Sequence, residues 1–302
     1  MDAAGLRARA SVLHALRTVF ADRGYLEVPT PALVASPAME EHLHPVTATG
    51  SAGGAFLRTS PEFALKRVLA AGLARIYEIG PCFRDREHGP WHRREFTMCE
   101  WYRVGASLDD LMDEVELLVA AAAHALGVTV PAWRRTTVRA VVRDATGIDL
   151  AAASASDLSD HDESWDDAFT RRWVTDVEPT LVGALHVRDW PASQAALARV
   201  RDDGAAGDGW PVAERFEVYL HGIELANAFD ELIDPAELRR RFLSANAARI
   251  AAGEAPHPID DALIEAVGRM PRTAGIALGV DRLVAALSGW DGIDRGLVDG
   301  PG

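Results

Sequence analysis

Residues 83–103, FRDREHGPWHRREFTMCEWYR, limit what this chain can fold into more than any other stretch. Arg84, Arg86, Arg93 and Arg94 with His88 and His92 place six cationic or hydrogen-donating side chains within eleven residues, around a Gly89-Pro90 pair that marks a turn. Phe96, Met98, Glu100 and Tyr102 then alternate with Thr97, Cys99, Trp101 and Arg103, the period of a β-strand. One strand face thus carries two apolar groups, a carboxylate and a phenol. An arginine-rich loop ahead of such a strand suits a polyphosphate, because guanidinium forks match phosphate oxygens in pairs. Taken alone, the stretch reads slightly better as a solvated basic loop before an ordinary core strand, since charge runs usually face water.

At 302 residues the chain can bury a large core in one domain or two. No apolar run approaches the roughly 20 residues that span a bilayer. The N-terminal MDAAGLRARASVLHALRTVF interrupts its apolar residues with Arg and His, unlike a secretory signal. Cys82 and Cys99 offer neither a disulfide framework nor zinc spacing, and read as buried, reduced thiols of a cytoplasmic protein. The net charge of −14 sets up a field that repels a phosphate backbone and disfavours extended tRNA binding.

In chain order, residues 5–22 read as an amphipathic helix with Leu6, Leu13, Leu16 and Phe20 on one stripe and Gly24 past its end. Tyr25–Val28 is extended and stopped by Pro29 and Pro31; 35–56 is loop-rich, and its His42-Leu43-His44 triplet reads as surface or packing. A helix starts at Ser60-Pro61-Glu62 with Ser60 as N-cap and Leu65, Val68 and Leu69 inward; on local grounds Glu62 serves the helix dipole. Arg75–Ile79 is a short strand feeding the arginine loop through Gly80-Pro81, and Ser107-x-x-Asp110 caps a helix to about Leu126. Residues 127–210 read as an insertion, largely helical, between two halves of one core.

At 214–233 two extended runs flank Leu220-His221-Gly222, a hairpin that sets Glu217 and Glu224 nearly opposite one another. Facing carboxylates repel unless a proton or cation lies between them, and hard oxygens of this kind suit Mg²⁺. Strict alternation puts Asn227 and Glu231 on the other face from Glu224, so one site for all of them requires a bulge. Asp234-Pro235-Ala236-Glu237 is a capping-box helix start, and Gly275–Val284 reads as a buried strand running into a helix with Arg282 in its first turn.

Three of these segments, 82–103, 214–233 and 275–284, resemble the motifs of the class II aminoacyl-tRNA synthetase catalytic domain, most nearly its lysyl branch. The likeness runs through RTSPE at 58–62, HRREFTMCEWYR at 92–103, WPASQAALA at 190–198, AERFEVYLHGIELANAFDEL at 213–232 and HPIDDALIEAV at 257–267. Within that branch the chain resembles the elongation factor P–(R)-β-lysine ligases, paralogues of lysyl-tRNA synthetase. The resemblance leads to the expectation that no anticodon-reading barrel precedes the catalytic helix, and Ala277 stands where the synthetase has glycine.

The resemblance implies an α/β (α+β) fold: a mixed, mostly antiparallel sheet flanked by helices, in one catalytic domain over residues 1–302 that pairs as a homodimer. It implies that ATP activates (R)-β-lysine or lysine, which then passes to a lysine side chain of elongation factor P. Arg84 would meet the α-phosphate, Arg282 the γ-phosphate and His92 the outer phosphates. Phe96 would stack on adenine, with Glu87 beside it. Glu217 and Glu224 would hold Mg²⁺. Glu62, Glu100, Tyr102, Asn227 and Glu231 would receive the substrate amino acid, with the Ala277 methyl shaping the pocket near its α-carbon. The chain also departs from the family: Arg86 replaces the usual glutamate, with Glu87 one place later, Arg93-Arg94 replaces Asn-Pro, and Ala228 replaces a glycine. Those departures keep two alternatives open, a lysine-adenylating enzyme with another acceptor and a non-catalytic paralogue that regulates a partner.

Overall fold

Asp2 accepts hydrogen bonds from the amides of Ala4 and Gly5 and so starts α1 (Ala3–Asp22), which buries Val12, Leu16 and Phe20. The computed structural model describes residues 2–39, 43–50, 54–159, 161–202, 207 and 209–298; His42 lies outside them. Short strands follow: β1 (Leu26–Glu27), β2 (Leu33–Val34), β3 (Thr47–Ala48) and β4 (Ala55–Leu57). In α2 (Glu62–Ala70) the start shifts by one residue from the expected place. Pro61 takes the cap position, and the Ser60 hydroxyl still accepts the Glu62 amide at 2.9 Å.

The strand expected to end at Ile79 runs on as β5 (Arg75–Phe83) through Gly80 and Pro81. Buried Arg58 holds it straight: its Nε donates to the Pro81 carbonyl at 2.9 Å and its Nη1 to Glu78 at 2.7 Å, beside Gly80, where a Cβ would collide with it. Next come β6 (Glu95–Val104) and α3 (Leu108–Leu126), the latter opened by a reciprocal Ser107–Asp110 capping box and closed by Gly127 in the left-handed region.

Residues 127–210 differ from the largely helical expectation. They carry β7 (Trp133–Thr137), α4 (Val138–Thr146), α5 (Ala155–Leu158) and α6 (Trp165–Arg172), then β8 (Ala184–Pro191) and β9 (Val200–Arg201). Nearly every residue of β8 is buried, so it lacks the alternation that reveals a half-exposed strand. The chain continues with β10 (Val212–Leu220), β11 (Ile223–Asp230), α7 (Pro235–Ala251), α8 (Asp261–Val267), β12 (Thr273–Gly279) and α9 (Val280–Ser288). Asp234 caps α7 as expected, but Glu237 does not complete a capping box; its carboxylate is taken by Arg240 and Arg241.

Among the described residues the main sheet runs β1-β5-β6-β12-β11-β10-β8-β7, with β9 beside β10. Its pairs are antiparallel except β1–β5 and β7–β8. A small sheet, β2-β4-β3, lies apart. Period-2 alternation on the central strands decides the rest. Cys99, Trp101, Ile276, Leu278, Ala226 and Ala228 face α1, α3 and α9 in one apolar core, and the alternate residues are left to face a cavity. Cys82 and Cys99 are free and buried, and burial pushes the Cys82 thiol up to about 12. No helix among the described residues is long and apolar enough to cross a membrane.

Candidate functional site

A cavity of ≈ 290 Å³ opens on the polar face of β6, β11 and β12, and every candidate residue except Glu217 lines it. Register explains the convergence. Glu100 pairs with Ala277 and Tyr102 with Gly275, while Asn227 pairs with Ala277 and Phe229 with Gly275. Residues opposite one another on neighbouring strands point to the same face, so Glu100, Tyr102, Ala277 and Asn227 share it.

The hairpin register corrects one expectation. Its turn is His221-Gly222, both at positive φ, but Glu217 lies opposite Asn227 and Glu224 opposite Tyr219. The register shifts between Val218 and Tyr219, leaving Leu225 as the extra residue. That bulge reverses parity along β11, and so delivers Glu224 to the face of Asn227 and Glu231.

Cations gather at one end. The Arg84 guanidinium lies 5.2 Å from the Phe96 ring centroid, and its buried Nε has no hydrogen-bond partner among the described residues. Asp281 accepts the Thr97 amide at 2.7 Å and Arg9 Nε at 3.2 Å, tying the first turn of α9 to the start of β6. Arg282 is thereby aimed across the cavity. Its Nη1 donates to the Glu224 carbonyl at 3.0 Å, its Nη2 lies 2.7 Å from His92 Nε2, and Glu87 is 3.5 Å from the same ring nitrogen. Burial, then the Arg282 charge, lowers the His92 pKa, which keeps the imidazole neutral.

The basic loop divides. Arg84, His92 and Arg93 face the cavity, whereas Arg86, His88 and Arg94 do not. Arg86 turns out through a left-handed backbone (φ 62) to Glu254, and Arg94 pairs with Asp85. Arg93 pairs with Asp294 at the rim.

Acids gather at the other end. The Ser60 hydroxyl accepts the Glu62 amide and donates to Glu100 Oε2 at 2.6 Å, and Tyr102 donates to Glu100 Oε1 at 2.6 Å. Burial raises the Glu100 pKa to about 8, with the Glu62 charge adding to it. Burial likewise lifts Glu231 to about 7 against the pull of Lys66. Glu62 is therefore more than a dipole partner. It is buried, lines the cavity and pairs with Lys66.

Between the two ends, Glu217 and Glu178 are both lifted to about 7, by burial first and with Glu224 contributing. Glu217 sits behind the cavity, held by Arg215 and Tyr219. Arg215 stacks 4.4 Å from the Trp190 ring and donates to Asn227 Oδ1 at 3.1 Å, leaving the Asn227 amide nitrogen to donate into the cavity. Of these three carboxyls, Glu224 is the one that reaches the cavity. Among the described residues no group of three or more His, Cys, Asp or Glu side chains could hold a metal ion.

Sequence reasoning passed over Lys66, Arg215 and Glu178. Lys66 left a signal: it sits between Leu65 and Leu69 on the buried face of α2, four residues from Glu62. Glu178 and Arg215 left none, since their meanings depend on partners across the sheet.

Residues 3–296 match the family of tRNA synthetases class II (D, K and N). The chain is 40% identical to the elongation factor P–(R)-beta-lysine ligase of Vibrio atlanticus, over 96% of this chain and 93% of the relative. It is 41% identical to that of Vibrio parahaemolyticus, over 96% and 93%, and 37% identical to that of Proteus mirabilis, also over 96% and 93%.

Proposed function

This chain belongs to the class II tRNA synthetases (D, K and N) and is an ATP-dependent, amide-forming ligase, and from that premise we propose that it activates (R)-β-lysine or lysine and transfers it to a lysine of elongation factor P. We place the reaction in the cytoplasm, on a homodimer, with a protein rather than tRNA as acceptor. The observation that carries the reading is the polarity of one cavity, with Arg84, His92 and Arg282 at one end and Glu62, Glu100 and Glu231 at the other. A polyphosphate and a diamine are the two halves of such a substrate pair.

In this reading Phe96 stacks on adenine, and the unpartnered Arg84 Nε donates to the α-phosphate. Arg282 and His92 receive the outer phosphates, and Glu87 stands beside them. The acid end binds the ammonium groups: Glu100 accepts the side-chain ammonium with Tyr102 fixing its carboxylate, while Glu62 and Glu231 take the other. Asn227 donates its amide N–H to the substrate carboxylate, holding it in line with the α-phosphorus. Attack by a carboxylate oxygen expels pyrophosphate and leaves an acyl-adenylate; the acceptor amine then displaces AMP and forms the amide. Fixed donors aimed at the charge developing on phosphorus supply most of the acceleration. Glu224, backed by Glu217, would hold Mg²⁺, which neutralises phosphate charge when bound.

The test is the intact mass of elongation factor P after incubation with this protein, ATP, Mg²⁺ and either lysine isomer. A one-lysyl gain, stronger with (R)-β-lysine and absent with Arg282→Ala, supports the reading. Release of AMP and pyrophosphate without a mass gain keeps the adenylation and moves the search to another acceptor. Neither product would overturn it in favour of a regulatory paralogue. Against that paralogue stands the outward turn of Arg86, which leaves Arg84 and Arg282 in place.

A further inference from the structure

The chain contains one lysine among its 31 Lys and Arg residues, and that lysine is Lys66. It is 2% exposed, among the largest fully buried side chains of the molecule. Its Nζ lies 2.6 Å from Glu62 Oε1 and 2.7 Å from Glu231 Oε2. Both carboxyls line the cavity, and Lys66 does not. The ammonium therefore stands behind two of the acids that face the substrate.

We infer that Lys66 is a positioning residue for the amino-acid end: it braces Glu62 and Glu231 from behind and sets how much negative charge the pocket presents to a cationic substrate. The inference rests on the lysine-type substrate proposed above. Three carboxyls converge there, Glu62, Glu100 and Glu231, and Lys66 answers one charge. The ammonium groups of a lysine or β-lysine would meet the remaining carboxyls and favour their ionisation against the burial that opposes it.

Chemistry explains why an ammonium and not a guanidinium fills this place. The gap between the two carboxylates admits a compact point charge with donors in several directions, whereas the arginine fork is planar, larger and suited to paired oxygens on one group. All thirty other basic residues are arginine, and most of those in ion pairs are at least partly exposed. An unbraced pair of buried carboxylates would share a proton, because two like charges in close contact cannot both ionise.

The charged neighbourhood is small and complete enough to read. From α2 comes Glu62, from the end of β11 Glu231, and from β6 Glu100 with Tyr102. Asp230, next to Glu231, is answered by Arg199 and Arg272. Asp260, capping α8, is answered by Arg67. Burial alone would lower the Lys66 pKa, but Glu231 and Glu62 outweigh it and raise it, so Lys66 keeps its charge throughout the working range.

A single lysine makes the test direct. Full-length protein grown with ¹⁵N-lysine gives one side-chain ammonium resonance, assigned without a reference variant. That resonance is expected to persist as a slowly exchanging ammonium at neutral pH, to shift when lysine or (R)-β-lysine is added, and to respond little to ATP alone. Glu231→Gln is expected to move it and speed its exchange; an unchanged resonance in that variant would overturn the bracing. In ATP–pyrophosphate exchange, Lys66→Met is expected to raise KM for the amino acid roughly 10- to 100-fold, the range for losing a charge-assisted hydrogen bond. Its optimum should move to higher pH, with KM for ATP within about twofold, and Lys66→Arg should not restore the wild type. A Lys66→Met enzyme with wild-type KM and pH profile refutes the inference. Wild-type protein that exchanges pyrophosphate with neither isomer refutes the substrate reading instead, and the Glu231→Gln resonance then decides the bracing by itself.

Discussion

Gly275 is the position where a single methyl group should separate the two ends of the cavity. A Cβ built there would sit 2.5 Å from Tyr102 Cδ1, nearer still to Cε1, and 2.6 Å from Glu231 Oε1. Its φ is not in the left-handed region, so the backbone tolerates alanine and the cost is purely steric. Tyr102 is 2% exposed and Glu231 1%, so neither can swing into solvent to relieve it. Overpacking of this kind costs about 1–3 kcal/mol, a fall in Tm of roughly 2–4 °C for each kcal/mol in a chain somewhat smaller than this one. The functional loss should be larger and one-sided. Displacing Tyr102 breaks its 2.6 Å bond to Glu100, and displacing Glu231 disturbs its contact with Lys66. One charge-assisted bond lost is about 1.5–3 kcal/mol, so KM for lysine should rise roughly 10- to 100-fold. ATP should be spared, because Gly279, where β12 hands over to the Arg282 helix, is four residues along, about 13 Å at strand rise. The assay is pyrophosphate exchange with each substrate varied in turn, beside a thermal melt. Gly279→Ala is the volume control, since its Cβ would meet nothing closer than Arg282 Cδ at 3.7 Å. A Gly275→Ala enzyme with unchanged KM for lysine, or with both KM values raised equally, would refute the reasoning.

Further expectations concern charge. Glu100 titrates near 8 because burial and Glu62 disfavour its anion; a carboxyl raised in the folded state contributes stability that is present below its unfolded value near 4.5 and lost as pH rises toward 8. The unfolding free energy of the substrate-free protein should therefore fall between those limits, by up to about 1.4 kcal/mol per pH unit for each such group, and Tm should fall with it. Glu100→Gln should flatten that slope while destroying lysine affinity, and equal slopes in melts of the two proteins would count against the assignment. Glu224→Gln should raise the Mg²⁺ concentration for half-maximal exchange by about tenfold or more; an unaltered Mg²⁺ titration would remove Glu224 from that role. Ala277 pairs with both Glu100 and Asn227, so Ala277→Gly should favour α-lysine over (R)-β-lysine, read as the ratio of kcat/KM, and a constant ratio would show that the methyl does not sort the isomers.

The sequence by itself determined the elements whose cause is local. Alternation at 96–102 set which residues of β6 face the cavity, Ser107 and Asp110 set where α3 begins, and His221-Gly222 set the hairpin turn. Motif likeness located the cations and acids that line the cavity. Tertiary structure decided what depends on partners distant along the chain. Which arginines of the loop turn away followed from Glu254 capturing Arg86 and Asp85 capturing Arg94. The meaning of Lys66 followed from Glu231, 165 residues on (231 less 66). Strand β8 was illegible because it is buried on both faces and carries no period. The acid face of β11 turned on one extra residue, Leu225. A bulge changes parity without changing composition, so only the paired strands could say on which side Glu224 would emerge.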